Sequence, residues 1–302
     1  TVDYYRIDPQ FGTEADLGAL VAQVHRRGMH IVLDGVFNHC AAGFAPFADA
    51  VAKGRDSAYF DWFIVKGDRL DPTRPNYALF AFCRDMPKLN TSNPAVRDFV
   101  CGVGRYYVEK FGIDGWRLDV SDEVSHRLWR EFRIAVKTAN PQAIVLGENW
   151  HDSYPFLQGD QFDGVMNYAF TKACLDYFTG RQKSAAHIAA RLSGLLMRSK
   201  DPANDMMLNL LDSHDTHRFF SEVAGDKNRL LAALALLVCF RGMPCIYYGT
   251  EIPLAGGYDP DSRRCFPWDR LDEKDPYFGL VAKLLALRQL APFGRRRICL
   301  AA

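Results

Sequence analysis

No CxxC pair occurs among the 8 cysteines, which lie at 40, 83, 101, 174, 239, 245, 265 and 299 without regular spacing. That leaves no framework for a cysteine-ligated zinc site or a small disulfide scaffold. The cysteines read as mostly buried free thiols, which favours a reducing compartment and a cytoplasmic location. Charge of one sign is also lacking: Lys plus Arg number 37 against 36 Asp plus Glu, a formal net charge of +1. There is then no electrostatic footprint for nucleic acid or an anionic membrane. No apolar run reaches the roughly 18 to 20 residues of a membrane span. The longest candidate, Leu230 to Phe240, is too short. An initiator Met and a signal-peptide pattern are absent as well. The opening "TVDYYRIDPQFGT" leads straight into a helix and the closing "RRRICLAA" is strand-like with nothing after it to pair with, so both ends are expected to be cut.

What is present is an ordinary globular composition, 48% hydrophobic and 24% charged over 302 residues, with a 13% aromatic share suited to stacking on sugar-like faces. Thr13 followed by "EADLGALVAQVHRRG" predicts a capped amphipathic helix that stops at Gly28. The short apolar run "MHIVLDGVF" after it is of the kind buried on both faces. The alternation recurs: helix 94–110 and strand 113–119, helix 122–138 and strand 143–147, a short strand at 163–166 and helix 184–199. Strand 206–211, helix 226–240, "PCIYYG" and helix 276–290 complete it. Six apolar strands alternating with helices predict an α/β fold with parallel strands. Ionisable residues gather at or after the strand ends: Asp34 and His39, Arg117 and Asp119, Glu148, His214 and Asp215. An α/β barrel or an open doubly wound sheet builds its site there. One connection, from about Asn38 to Pro94, is far longer than a normal βα loop and rich in aromatics, so it is expected to form a small subdomain rather than a disordered linker.

"GWRLDV" puts Arg117 and Asp119 on one face of a strand, as a structural ion pair or as part of a site. With Glu148 and Asp215 ending later strands, three carboxylates need a common explanation. Glycoside hydrolysis uses two, one as nucleophile and one as proton donor. Arg117 would favour an ionised Asp119, whereas burial and neighbouring negative charge would keep a proton on Glu148. A metal site is the rival reading, though the usual ligand spacings are missing.

Four blocks in order, "DGVFNH" (34–39), "GWRLDV" (115–120), "GENW" (147–150) and "DSHD" (212–215), resemble the α-amylase family, glycoside hydrolase family 13. The resemblance implies a TIM (β/α)8 barrel, here lacking its first two strands, with the long third βα loop as domain B. The implied division is a barrel over 1–39 and 91–291, domain B over 40–90, and the start of a C-terminal β-domain over 292–302. Six strands cannot close an eight-stranded barrel, so residues 1–302 expressed alone are expected to aggregate or show little activity. Carried over residue by residue, Asp119 is the nucleophile, Glu148 the general acid and base, and Asp215 the residue that holds sugar hydroxyls. Arg117, His39 and His214 surround that sugar, and Asp34 holds Arg117. No cofactor is implied as required, and Asn38 matches a calcium ligand of some relatives.

"MPKLN" (86–90), "VSDEV" after the nucleophile and "GENWHDS" resemble the cyclomaltodextrinase, maltogenic amylase and neopullulanase group. Glu123 and Trp150 would then contact substrate, Trp150 by stacking on an acceptor sugar, with core packing as its alternative. The expected reaction is retaining hydrolysis of α-1,4 links in cyclodextrins, maltooligosaccharides or pullulan, with some α-1,6 cleavage and transglycosylation. The expected partners are an α-glucan oligosaccharide and, for the full-length protein, a second copy. A sucrose- or trehalose-acting glucosyl transferase and a non-catalytic homologue are the alternatives.

Overall fold

The computed structural model describes residues 1–181 and 184–290 and divides into two compact units, Thr1–Asp163 and Gly164–Ala302. The expected β-domain start at 292–302, with Cys299, lies outside the described residues.

The first unit begins with α1 (Glu14–Arg26), closed by a reciprocal cap in which Thr13 accepts from the Asp16 N–H and Asp16 from the Thr13 N–H. After it come β1 (Val32–Gly35), α2 (Ala45–Lys53) and α3 (Pro94–Phe111). Asn93 caps α3 at its start, and Gly112, in the left-handed region with φ 70°, ends it. β2 (Gly115–Leu118), α4 (His126–Ala139) and β3 (Ile144–Gly147) complete the unit. The three strands are parallel, with Asp34 opposite Arg117 and Leu118 opposite Gly147. Gly115 is required at its position, because a Cβ there would lie 2.4 Å from the Ile144 carbonyl oxygen. Helices α3 and α4 cover the sheet through Trp116, Trp129 and Phe132, all buried.

Residues 40–90 are ordered, as their aromatic content predicts. Phe44, Phe47, Phe63, Tyr77 and Leu89 are buried, and antiparallel bridges join Phe63 to Leu89, Val65 to Tyr77 and Leu79 to Pro87. At the tip, Ala81 and Phe82 both have positive φ.

The second unit runs β4 (Gly164–Val165), α5 (Tyr168–Phe178), α6 (Ala185–Arg198), α7 (Asp201–Met206), β5 (Leu208–Leu210), α8 (Phe219–Glu222), α9 (Lys227–Cys239), β6 (Met243–Cys245) and α10 (Pro276–Leu287). β5 and β6 pair in parallel, and a parallel bridge joins Met166 to Leu208. Phe170, Leu192, Phe219, Leu234, Phe240 and Val281 form its core.

All six expected strands are present. α2, α5, α7 and α8 are additional to the elements read from the sequence. The expected helix 122–138 is divided: a 3-10 turn at Ser121–Glu123 precedes α4, which Ser125 caps by accepting from the Arg127 N–H. The thiols are less buried than expected. The seven described cysteines are free, but only Cys40 and Cys174 are fully buried, and Cys239 and Cys265 are exposed. No helix among the described residues is long and apolar enough to cross a membrane.

Candidate active site

Parallel pairing of β1, β2 and β3 brings the residues at their C-terminal ends to one edge. β2 stops at Leu118, and Val120 turns into the left-handed region with φ 46°, a costly conformation for a β-branched residue. The turn keeps Asp119 beside Arg117 and aims the Val120 N–H at Glu148 Oε2, 2.9 Å away.

Arg117 organises this edge. Its Nη1 donates to Asp34 Oδ1 at 2.7 Å and Asp119 Oδ1 at 2.8 Å, while Nη2 pairs with Glu148 Oε2 at 2.9 Å. Burial works against the Arg117 charge, but Asp34, Glu148 and Asp119 outweigh it and hold the guanidinium firmly protonated. Asp34 holds Arg117, the contact that the family resemblance implies, and the pair read from "GWRLDV" extends to a third and a fourth member.

Glu148 is buried, at 3% exposure. Its Oε1 accepts from Trp150 Nε1 at 3.2 Å. Glu148 is thus buried as expected, with the carboxylates of Asp119 and Asp34 next to it across the shared Arg117 guanidinium. Val120 N–H and Trp150 Nε1 donate to the carboxylate, and the Arg117 guanidinium pairs with it, so three groups hold it in place. Trp150 itself is 46% exposed, so core packing does not describe it. Its ring nitrogen stands beside the carboxylate.

His39 is buried and stacks on Phe80 with ring centroids 4.5 Å apart. Burial pushes its pKa below the ordinary value, against the opposing pull of Asp119, so the ring is neutral at pH 7. Glu123 is exposed and pairs with Lys88 at 2.7 Å, tying the turn after Asp119 to the "MPKLN" segment. Asn38 is fully buried, and its Oδ1 lacks a hydrogen-bond partner. That oxygen fits one position of a cation site, but calcium takes roughly six to eight oxygens. Among the described residues no group of three carboxylate, His or Cys ligands gathers near it.

In the second unit, Asp215 follows β5. Its Oδ2 lies 3.1 Å from His214 Nε2 and its Oδ1 accepts from Arg263 Nη2 at 3.3 Å. Arg263 also donates to the His214 carbonyl at 3.2 Å. Asp212 is buried and accepts from the Phe219 N–H at 2.7 Å. Burial raises its pKa to about 6, against that bond and the nearby Arg218.

Sequence reasoning missed Ser121, whose buried hydroxyl lies 2.8 Å from the Glu148 carbonyl and 2.9 Å from Asn149 Oδ1, bracing the strand end that carries Glu148. It also missed Lys88, Arg263 and Asp212. "DSHD" names Asp212 beside Asp215, and "DSRR" names Arg263, but nothing in either block says which residue the side chain reaches.

Residues 1–282 match the family described as the α-amylase catalytic domain. A cyclomaltodextrinase from Geobacillus thermopakistaniensis is 44% identical over 96% of this chain and 49% of its own length. An intracellular maltogenic amylase from Bacillus subtilis is likewise 44% identical, over 96% of this chain and 49% of its own. A solved structure of a cyclic α-maltosyl-(1→6)-maltose hydrolase from Arthrobacter globiformis is 38% identical, with a TM-score of 0.94, covering 100% of this chain and 70% of that one. This chain thus spans about half the length of the two curated relatives.

Proposed function

We propose that this chain, which belongs to the α-amylase family, carries the catalytic centre of a retaining glycoside hydrolase. Its substrates are the α-1,4-glucosidic bonds of cyclodextrins, maltooligosaccharides or pullulan, with some α-1,6 cleavage and transglycosylation. One observation carries the reading: a single guanidinium, that of Arg117, touches Asp34, Asp119 and Glu148 at once. A cation shared in this way supports the close pairing of carboxylates that double displacement needs.

In the first step an Asp119 oxygen attacks the anomeric carbon while Glu148 gives its proton to the departing glycosidic oxygen, leaving a β-glycosyl ester on Asp119. In the second, Glu148 takes a proton from water, the hydroxide oxygen attacks the same carbon, and the ester breaks with net retention. Val120, Trp150 and Arg117 hold the Glu148 carboxyl in place for both steps. For the first, the carboxyl must arrive protonated, and approach of the glycosidic oxygen gives that proton an acceptor. Asp215 holds sugar hydroxyls, with Arg263 and His214 fixing its orientation. His39, as a neutral ring, donates to the sugar without adding charge, and Trp150 and Glu123 contact the acceptor side.

In this reading residues 1–39 and 91–291 are part of a TIM barrel without its first two strands, and 40–90 is domain B. The family resemblance and the aromatic packing inside 40–90, of Phe47 against Phe63 and Tyr77, support that division. No cofactor takes part, calcium at Asn38 would be structural, and the full-length protein is a homodimer. An intracellular setting is supported by the free thiols and by the name of the Bacillus subtilis relative.

The test is product analysis with the full-length protein on β-cyclodextrin, maltotriose, pullulan and sucrose, with Asp119→Asn as control. Glucose and maltose from β-cyclodextrin and maltotriose, with a trisaccharide that keeps its α-1,6 link from pullulan, support the reading. Turnover of sucrose alone, by transfer, overturns it.

A further inference from the structure

Away from the strand ends that carry the carboxylates, at the start of β1 and β2, three potential metal ligands meet. His25 lies in the last turn of α1, His30 in the loop between α1 and β1, and Asp114 directly before β2. His25 Nε2 is 2.8 Å from Asp114 Oδ2, and His30 Nδ1 is 2.9 Å from Asp114 Oδ1. One ligand atom from each of the three lies within 4.8 Å of the other two. This is the only such group among the described residues.

We propose that His25, His30 and Asp114 bind one borderline divalent transition-metal ion, with Zn²⁺ as the probe of that class.

Two imidazoles and a carboxylate are a donor set that suits zinc and its neighbours rather than calcium or magnesium, which prefer oxygen alone. Tetrahedral zinc with bonds of about 2.0 to 2.2 Å holds its ligand atoms roughly 3.4 Å apart. The two short N···O separations, each to a different Asp114 oxygen, need to open by about half an ångström to reach that spacing, and one ligand atom from each residue already lies within 4.8 Å of the other two.

The carboxylate is held for the purpose by backbone. Asp114 N–H donates to the Ile31 carbonyl at 2.9 Å, its own carbonyl accepts from the Ile144 N–H at 2.8 Å, and Oδ2 accepts from the Ile31 N–H at 2.8 Å. Such a bond to a ligating carboxylate is the outer support that metal sites use. Burial of Asp114 opposes its charge, but the Ile31 N–H and the two rings outweigh it, so its pKa falls below the ordinary value and the ligand is ionised.

The histidines supply access, since the side chains of His25 and His30 are 41% and 77% exposed. To bind, each ring carries its proton on the far nitrogen, Nδ1 of His25 and Nε2 of His30, freeing the inner lone pairs. Water completes the coordination. The ion would tie the end of α1 and the loop before β1 to the start of β2, a structural role independent of the glycosidase reading.

The experiment is a Zn²⁺ titration of metal-stripped, untagged full-length protein by calorimetry, beside His30→Ala and His25→Ala. His30 is so exposed that its removal leaves the fold in place. The expected result is one equivalent of zinc in the wild type, weakened at least about tenfold in either variant. A rise in Tm with zinc should be reversed by chelator in the wild type and absent in His30→Ala. Glycosidase activity of metal-free His30→Ala should equal that of the wild type. Zinc binding of equal stoichiometry and affinity in wild type and His30→Ala would assign the ion to other groups, such as Cys239 and Cys265, and overturn the proposal. No binding by the wild type at 100 μM zinc, a concentration of about the weakest useful site, would overturn it as well.

Discussion

Replacing Glu148 by Gln separates the chemistry of the centre from its architecture. Val120 N–H and Trp150 Nε1 donate to the carboxylate, and Arg117 pairs with it. A glutamine can keep its carbonyl oxygen toward Val120 and Arg117, where both contacts are 2.9 Å, and turn its NH₂ toward Trp150, where the contact is 3.2 Å and half open to solvent. The lost bond and the lost pairing with Arg117 cost about 1 to 3 kcal/mol, so the protein folds. The proton transfer is lost altogether. General acid catalysis contributes about 10²- to 10⁴-fold, or roughly 3 to 5 kcal/mol of barrier. The assay compares kcat/KM for maltotriose with kcat/KM for α-glucosyl fluoride, whose leaving group needs no proton. Glu148→Gln should lose about 10²- to 10⁴-fold on maltotriose and far less on formation of the intermediate from the fluoride. Equal losses on the two substrates, or a loss below tenfold on maltotriose, would refute the role of Glu148 as acid.

Arg117→Met should leave Glu148 and Asp119 without their shared cation. Breaking a buried pair costs about 3 to 5 kcal/mol, read as a fall in the denaturation midpoint, and a loss under about 1 kcal/mol would count against Arg117 as organiser. Asp212→Asn tests a pH dependence. Because burial raises its pKa to about 6 from an ordinary value near 3.8, wild-type stability from this group is present at pH 4 and lost as pH rises through 6. The variant should therefore gain on the wild type between pH 4 and 7 by about 2 to 3 kcal/mol, and a gain in the opposite direction would refute the shift. Trp129→Ala empties a fully buried site between α4 and the sheet, with an expected loss of about 3 to 5 kcal/mol by urea denaturation.

The strands were legible because each is a short apolar run between glycine, proline or asparagine, a pattern that survives without knowledge of partners. α5 was not, because "YAFTKACLDYF" is apolar on several faces and Phe170, Ala173 and Cys174 are all buried, which erases the helical period. α2 sits inside an aromatic-rich segment whose loop signals outweigh its nine residues. At the candidate site, the acids were readable from their place after the strands, and Arg117 from its spacing to Asp119. The left-handed turn at Val120 was not, since nothing in a valine announces a positive φ. Nor was the reach of Arg263 to Asp215, which depends on a long loop closing back. That Arg117 joins Glu148 to Asp119 and Asp34 was not legible either, because sequence order places the acids near one another without showing which cation they share.

The most direct measurement is to trap the intermediate with a slow fluorinated α-glycosyl fluoride and map the label by peptide mass spectrometry. The account predicts one glycosyl adduct, on the peptide containing Asp119, and none in Asp119→Asn. A label on Glu148 or Asp215, or wild-type turnover by Asp119→Asn, would contradict it.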